Sequence, residues 1–228
     1  MTQDRSESFI RYRFRFMDGQ TVEHPIALTG APADGEHADW TRLNFHQCPN
    51  CPLASDVVQH CPFATALEAP VTFLGARLSH TEVDVQISYR GREIYQHTTL
   101  QRAVGSMLGA IGATSGCPHM NFLRAMAWFH QPFNDNDETL FRAVGTYLLG
   151  QHLRALRGLE ADWSLDGLRK KYREVRQVNQ GIAQRLRSAA QEDASVNGLI
   201  LLDLLASSAL SSLDQYEGEL DRYFSDYF

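Results

Sequence analysis

The residues of this chain best suited to chemistry are its four cysteines, each followed by proline: Cys48 and Cys51 in NFHQCPNCPL, Cys61 in QHCPFA and Cys117 in TSGCPH. Cys48 and Cys51 form a C-x2-C turn, which brings two sulfurs onto one ion while backbone N–H groups near its apex bond to the thiolates. Proline after each cysteine costs few donors and fixes φ, so the loop is stiffened. Cys61 follows in the same loop, whereas Cys117 must be returned to it by the fold. Four thiolates around one cation make the usual structural zinc site, with no position left open for substrate. An iron–sulfur cluster is the alternative filling, because cysteine followed by proline also occurs among cluster ligands.

Other readings of the same thiols stay open. Buried, inert cysteines would need no metal at all. A disulfide is disfavoured: the start, MTQDRSESF, is polar and charged, unlike a signal peptide, and cytosolic thiols stay reduced. His46, His60 and His119 flank the thiols closely enough for one of them to replace a cysteine ligand. Cys117 is predicted in a loop between helices or at the N-terminus of a helix over Met120–His130, where a thiol would be more acidic. That placement also allows a thiol or metal enzyme in which Cys117 is the nucleophile and His119 its base.

The elements that must position these residues fall in two groups. Phe9–Phe16 alternates Arg11, Arg13 and Arg15 against Ile10, Tyr12, Phe14 and Phe16, a half-buried strand. A turn at Asp18-Gly19 and a strand over Thr21–Leu28 complete a hairpin. Glu82–Tyr89, the turn Arg90-Gly91 and the return Arg92–Thr98 make a second hairpin. Between them lie a loop over Thr29–Trp40, the cysteine loop, which Trp40 and Leu43 are placed to cover, and a short helix over Pro62–Leu78, broken at Pro70. From Thr99, a plausible N-cap, Leu100, Val104, Met107, Leu108 and Ile111 mark one helical face, and the breakers of GATSGCPH end it.

Pro132 and Asn134–Glu138 then stop one helix and cap the next, which runs to about Arg157. A further helix begins near Trp163–Asp166 and runs to about Gln191, carrying Arg169, Lys170, Lys171, Arg173, Arg176, Arg185 and Arg187, read as a solvated face. The last, Ser195 to about Tyr223, has leucines on several sides, so it is central to the bundle or a homodimer contact through residues 195–213. The aromatic tail Tyr216, Tyr223, Phe224, Tyr227 and Phe228 is expected to dock. The expected fold is α+β: an antiparallel sheet of two hairpins with the cysteine loop over residues 1–98, and a bundle of about four helices over 99–228 contributing Cys117.

Composition narrows the function. The chain has 228 residues, 43% of them hydrophobic, enough for a packed core, and its net charge of −6 with pI near 5.8 is unlike a general nucleic-acid binder. Gly198–Leu213, interrupted by Asp203 and serines, falls below the ~20 residues of a membrane span, so a cytoplasmic location is expected. Asn134–Glu138 lacks the glycine and final glutamate of an EF-hand. Glu138, His130 and His152 lack the Glu-x-x-His pairs of a di-metal bundle. No Walker loop, G-x-G-x-x-G or G-x-S-x-G occurs.

The blocks CPNCPL, HCPFA and ATSGCPH, with FHQPF and YLLGQHLRA, resemble an uncharacterised bacterial family that carries the same cysteine–proline motifs over most of the chain. The resemblance strengthens the grouping of Cys48, Cys51, Cys61 and Cys117 and implies no substrate. The leading expectation is an accessory or regulatory protein with a four-cysteine structural zinc site. The alternatives are an iron–sulfur or zinc-thiolate redox or metal sensor, and the Cys117–His119 enzyme.

Overall fold

The computed structural model describes residues 8–29, 35–74, 77–190 and 192–228. Parts of the expected loop over Thr29–Trp40 and of the helix expected over Pro62–Leu78, the helix end at Gln191, and most of the N-terminal segment lie outside them.

Both hairpins form and join into one antiparallel sheet of order β2-β1-β3-β4, from β1 (Phe9–Phe16), β2 (Thr21–Ala27), β3 (Glu82–Tyr89) and β4 (Arg92–Thr99). Alternation decides which face is buried. Ile10, Tyr12 and Phe14 of β1 and Val83, Val85 and Ile87 of β3 are sealed from solvent, and the arginines between them face out. There Arg13 reaches Glu23 at 2.9 Å and Arg15 reaches Asp84 at 2.7 Å across neighbouring strands. The β3–β4 turn takes positive φ at both Arg90 and Gly91, as a type I′ hairpin requires.

Among the described residues seven α-helices accompany the sheet: α1 (Pro62–Ala66), α2 (Glu68–Leu74), α3 (Leu100–Thr114), α4 (Arg124–Trp128), α5 (Asn136–Ala155), α6 (Asp166–Ala189) and α7 (Ala194–Asp214). The expected break at Pro70 falls instead at Leu67. Pro70 lies in the first turn of α2, where its missing N–H would have had no helical partner. The helix expected over Met120–His130 is reduced to a 3-10 turn, Asn121–Leu123, and the five residues of α4; tight i→i+3 bonds at Met120 and Leu123 start it. Asp135 caps α5 through a reciprocal capping box with Glu138, in agreement with the N-cap reading of the acidic run.

Helix α3 runs through the middle of the molecule and buries Leu100, Val104, Met107, Leu108 and Ile111. Its close partner is α7, and the two cross at a glycine pair: a Cβ on Gly105 would stand 2.8 Å from the Gly198 carbonyl oxygen. Helix α7 stops at Asp214 rather than near Tyr223, because Gln215 is extended and Gly218 turns the chain at positive φ. The tail docks in part: Phe224 lies against Phe141 and Arg222 meets Asp137 at 2.7 Å, while Tyr227 and Phe228 stay exposed. At 21 residues and mean hydropathy 1.6, α7 is long and apolar enough to cross a membrane by length and composition, contrary to expectation. It packs on α3 and α6, with a third of its apolar stretch buried and Ile200 and Leu204 left exposed.

Candidate metal centre

The cysteine loop is laid down by short-range bonds. Cys51 N donates to Cys48 O at 3.0 Å, closing the C-x2-C turn, and Cys61 N donates to Thr41 O at 2.7 Å as Arg42 and His60 pair in an isolated bridge. Proline at the first position of α1 starts a helix directly after Cys61.

Helix α6 receives the turn. Asn50 Nδ2 donates to Glu174 O at 3.1 Å, and Cys48 Sγ lies 3.9 Å from Val178 O. The fit depends on Gly181, where a Cβ would come within 2.6 Å of Cys48 Sγ. Helix α6 therefore offers bare backbone where the sulfur rests.

Cys117 is brought to the same place by the loop after α3. Gly116, at positive φ, packs near Pro62: a Cβ there would be 3.9 Å from the proline Cβ, so the chains flanking Cys61 and Cys117 are in contact. His119 Nε2 donates to Asn50 O at 2.7 Å, tying that loop to the C-x2-C turn. Of the two placements expected for Cys117, the structure has the loop, and backbone N–H groups of His119 and Met120 reach its sulfur.

The four thiols are close enough to feel one another's charge. Burial pushes the Cys48 thiol up to about 12, and the neighbouring Cys61, Cys117 and Cys51 add to the shift. Burial likewise pushes Cys117 up to about 11, against the two N–H groups that favour its thiolate and with Cys61 and Cys51 acting in the same upward direction. The acidic thiol anticipated for a helix N-terminus is thus not found. Among the described residues, no group of three or more His, Cys, Asp or Glu side chains is set, as placed, to hold a metal ion.

Each flanking histidine is turned to another purpose. His119 Nδ1 lies 3.2 Å from Glu174 Oε2, so both of its ring nitrogens are engaged. His60 Nδ1 lies 2.8 Å from Thr41 Oγ1, and His46 is exposed against the Phe45 ring. Trp40 packs partly buried against the core and Leu43 is fully buried, and the backbone carbonyls of both are engaged.

That backbone leads to a residue absent from the expected site. Arg185 is 1% exposed, and its guanidinium donates to the carbonyls of Trp40 (2.9 Å), Arg42 (2.7 Å) and Leu43 (2.9 Å). Among the described residues its Nε–H has no partner, and it forms no ion pair with a carboxylate. Thiolate charge at Cys61, Cys48 and Cys51 would favour its ionised form against the cost of burial. Arg185 sits on the buried stripe of α6, after Leu168, Tyr172, Val175, Val178 and Ile182 at helical spacing. Periodicity could have separated it from the solvated arginines of the same helix.

The fold and this site define an α+β protein with four thiols gathered between a loop, the turn after α3 and a buried arginine of α6. The sequence matches the domain of unknown function DUF6901 over residues 10–225, and the chain belongs to that family. No curated protein and no solved structure matches it.

Proposed function

We propose that the protein is a metal–thiolate protein in which Cys48, Cys51, Cys61 and Cys117 hold one inorganic centre that fastens the cysteine loop to the helices. The observation that carries this reading is Arg185, a fully buried cation with no carboxylate partner, lying beside the thiols. A buried charge is costly unless opposite charge stands near, and neutral thiols supply none. Four thiolates on zinc, or on an iron–sulfur cluster, carry net negative charge, and a guanidinium alongside then offsets it. The chemistry of the donors fits either filling.

With every position taken by sulfur, a zinc ion would leave no room for substrate, so the role is structural and the protein accessory or regulatory. Zinc would also require the thiols to draw in to bonds of about 2.3 Å. The second reading is a cluster with one thiolate on each iron, which would make the protein a redox or metal sensor. The thiol-enzyme reading is weakened by His119, whose two nitrogens are spent on Asn50 and Glu174.

The test is elemental analysis and visible absorption of protein purified anaerobically without added metal. One zinc per chain in a colourless protein supports the structural reading; iron with inorganic sulfide and a brown colour supports the sensor. Either metal should fall away in Cys117→Ser. Protein that is folded, metal-free and unable to take up zinc or a reconstituted cluster overturns both.

A further inference from the structure

A second feature of the molecule is a cavity that none of the four cysteines lines. The cavity, of about 340 Å³, opens among α3, α4, α5, α6 and α7, walled by apolar side chains such as Leu201, Leu202 and Leu205 and by the small residues of α3. That is within the size range of small-molecule sites, at its lower end. Its volume equals about eleven waters at ~30 Å³ each, or a molecule of about a dozen non-hydrogen atoms.

The polar groups on the wall are of one electrical kind. Arg102 and Arg142 line the cavity, and no aspartate or glutamate does. Arg142 donates to Gln131 O at 3.0 Å and to Met126 O at 2.9 Å, and with the Asn134 amide turned to satisfy both its atoms the Asn134 oxygen accepts from Arg142 Nη1 at 3.2 Å; Arg142 forms no ion pair among the described residues. A guanidinium has five N–H groups, so two donors remain after those three bonds. Tyr172, buried and with its pKa pushed up to about 12 by that burial, adds a phenol to the same wall. Asn179 lines it as well: its amide donates to Asp203 at 3.2 Å, and its Oδ1 is buried with no partner. An unsatisfied buried acceptor is uncommon and asks for a donor.

We propose that this cavity binds a small amphipathic carboxylate, its carboxylate on Arg142 and its apolar body among the leucines of α7. A ligand that also carries a hydroxyl can complete Asn179, so a medium-chain 3-hydroxy acid suits the cavity better than the plain acid. The cation selects against amines, and the apolar body selects against acetate. This inference stands apart from the metal reading, since none of the four cysteines lines the cavity.

The test is titration calorimetry on the protein as purified, with decanoate, 3-hydroxydecanoate, decanol, decylamine and acetate, all below their micelle concentrations. Decanoate should bind at least tenfold tighter than decanol or decylamine, acetate should not bind, and 3-hydroxydecanoate should exceed decanoate severalfold. Arg142→Lys should keep part of the preference for the acid and Arg142→Met should abolish it. Because Arg142 also holds two backbone carbonyls, Leu205→Trp serves as a second variant that fills the cavity without touching a polar group, and it should remove binding of every chain compound. Equal binding of decanoate and decanol, decanoate binding undiminished in Leu205→Trp, or no heat from any of the acids overturns the proposal.

Discussion

Replacing Arg185 with methionine keeps most of the side-chain volume and removes the buried cation. Three carbonyls, of Trp40, Arg42 and Leu43, lose their donor. Hydrogen bonds to a charged group are worth about 1.5–3 kcal/mol each, a gross loss of roughly 4–9 kcal/mol. Against it stands the relief of burying a cation, several kcal/mol, so a net destabilisation of about 2–4 kcal/mol is expected. Arg185→Lys should recover little, because an ammonium cannot fork to three carbonyls. The informative quantity is how the loss depends on the thiol centre. If thiolates carry negative charge beside Arg185, removal of the arginine should cost the metal-loaded protein at least about 1 kcal/mol more than the metal-free protein, as neighbouring charges couple. Urea unfolding of the parent and of Arg185→Met, each with and without metal, with Cys117→Ser and the double variant as metal-free references, measures it. Equal losses in both forms would refute the argument that Arg185 answers a thiolate charge, and a loss under about 0.5 kcal/mol would refute the hydrogen-bond reckoning as well.

Further predictions concern the packing around the site and the interior. Gly181→Ala should raise helix propensity by about 1 kcal/mol, yet the new methyl meets Cys48 Sγ; the expected outcome is reduced metal content with all four cysteines present, read by elemental analysis, and full occupancy would count against the seating of Cys48 on α6. Gly198→Val should destabilise by about 1–3 kcal/mol through contact with Val104, seen as a lower urea midpoint; an unchanged midpoint would mean the α3–α7 crossing is looser than described. His130, buried beside Tyr12 at 2.7 Å, is held neutral with its pKa pushed down to about 3 by burial. The unfolded chain then binds the proton that the folded one refuses, so this contribution is full above pH 6.5 and is lost as pH falls towards 3, by up to about 1.4 kcal/mol per unit. Between pH 6.5 and 5, His130→Gln should show a shallower fall in urea stability than the parent; parallel slopes would exclude the assignment.

Much of the fold could be read from local pattern. Strict alternation in Phe9–Phe16 and Glu82–Tyr89 fixes both the strands and their buried faces, since a period of two leaves one choice of side. Helix ends were harder. Pro70 reads as a breaker only if its place in the turn is unknown, and Met120–His130 has helical composition but begins in tight turns with no capping side chain. Strand order β2-β1-β3-β4 is a matter of tertiary pairing that no single segment records. At the site, the cysteine–proline motifs pointed to the four thiols, while the approach of Gly116 to Pro62 and of His119 to Asn50 depends on contacts far apart in sequence. Arg185 was hidden among the basic residues of α6 because charge suggested a wet face where spacing indicated a dry one. The cavity left no mark in the sequence, as it is a space between helices rather than a motif.

The lodging of Cys48 against Gly181, with Arg185 one turn further along, has a consequence during biosynthesis. Cys48, Cys51 and Cys61 leave the ribosome well before the helix that shelters them, and at about 5–20 residues per second the interval is on the order of ten seconds. Throughout that time the nascent thiols are open to oxidants and stray cations, and only translation of α6 can close the door on them.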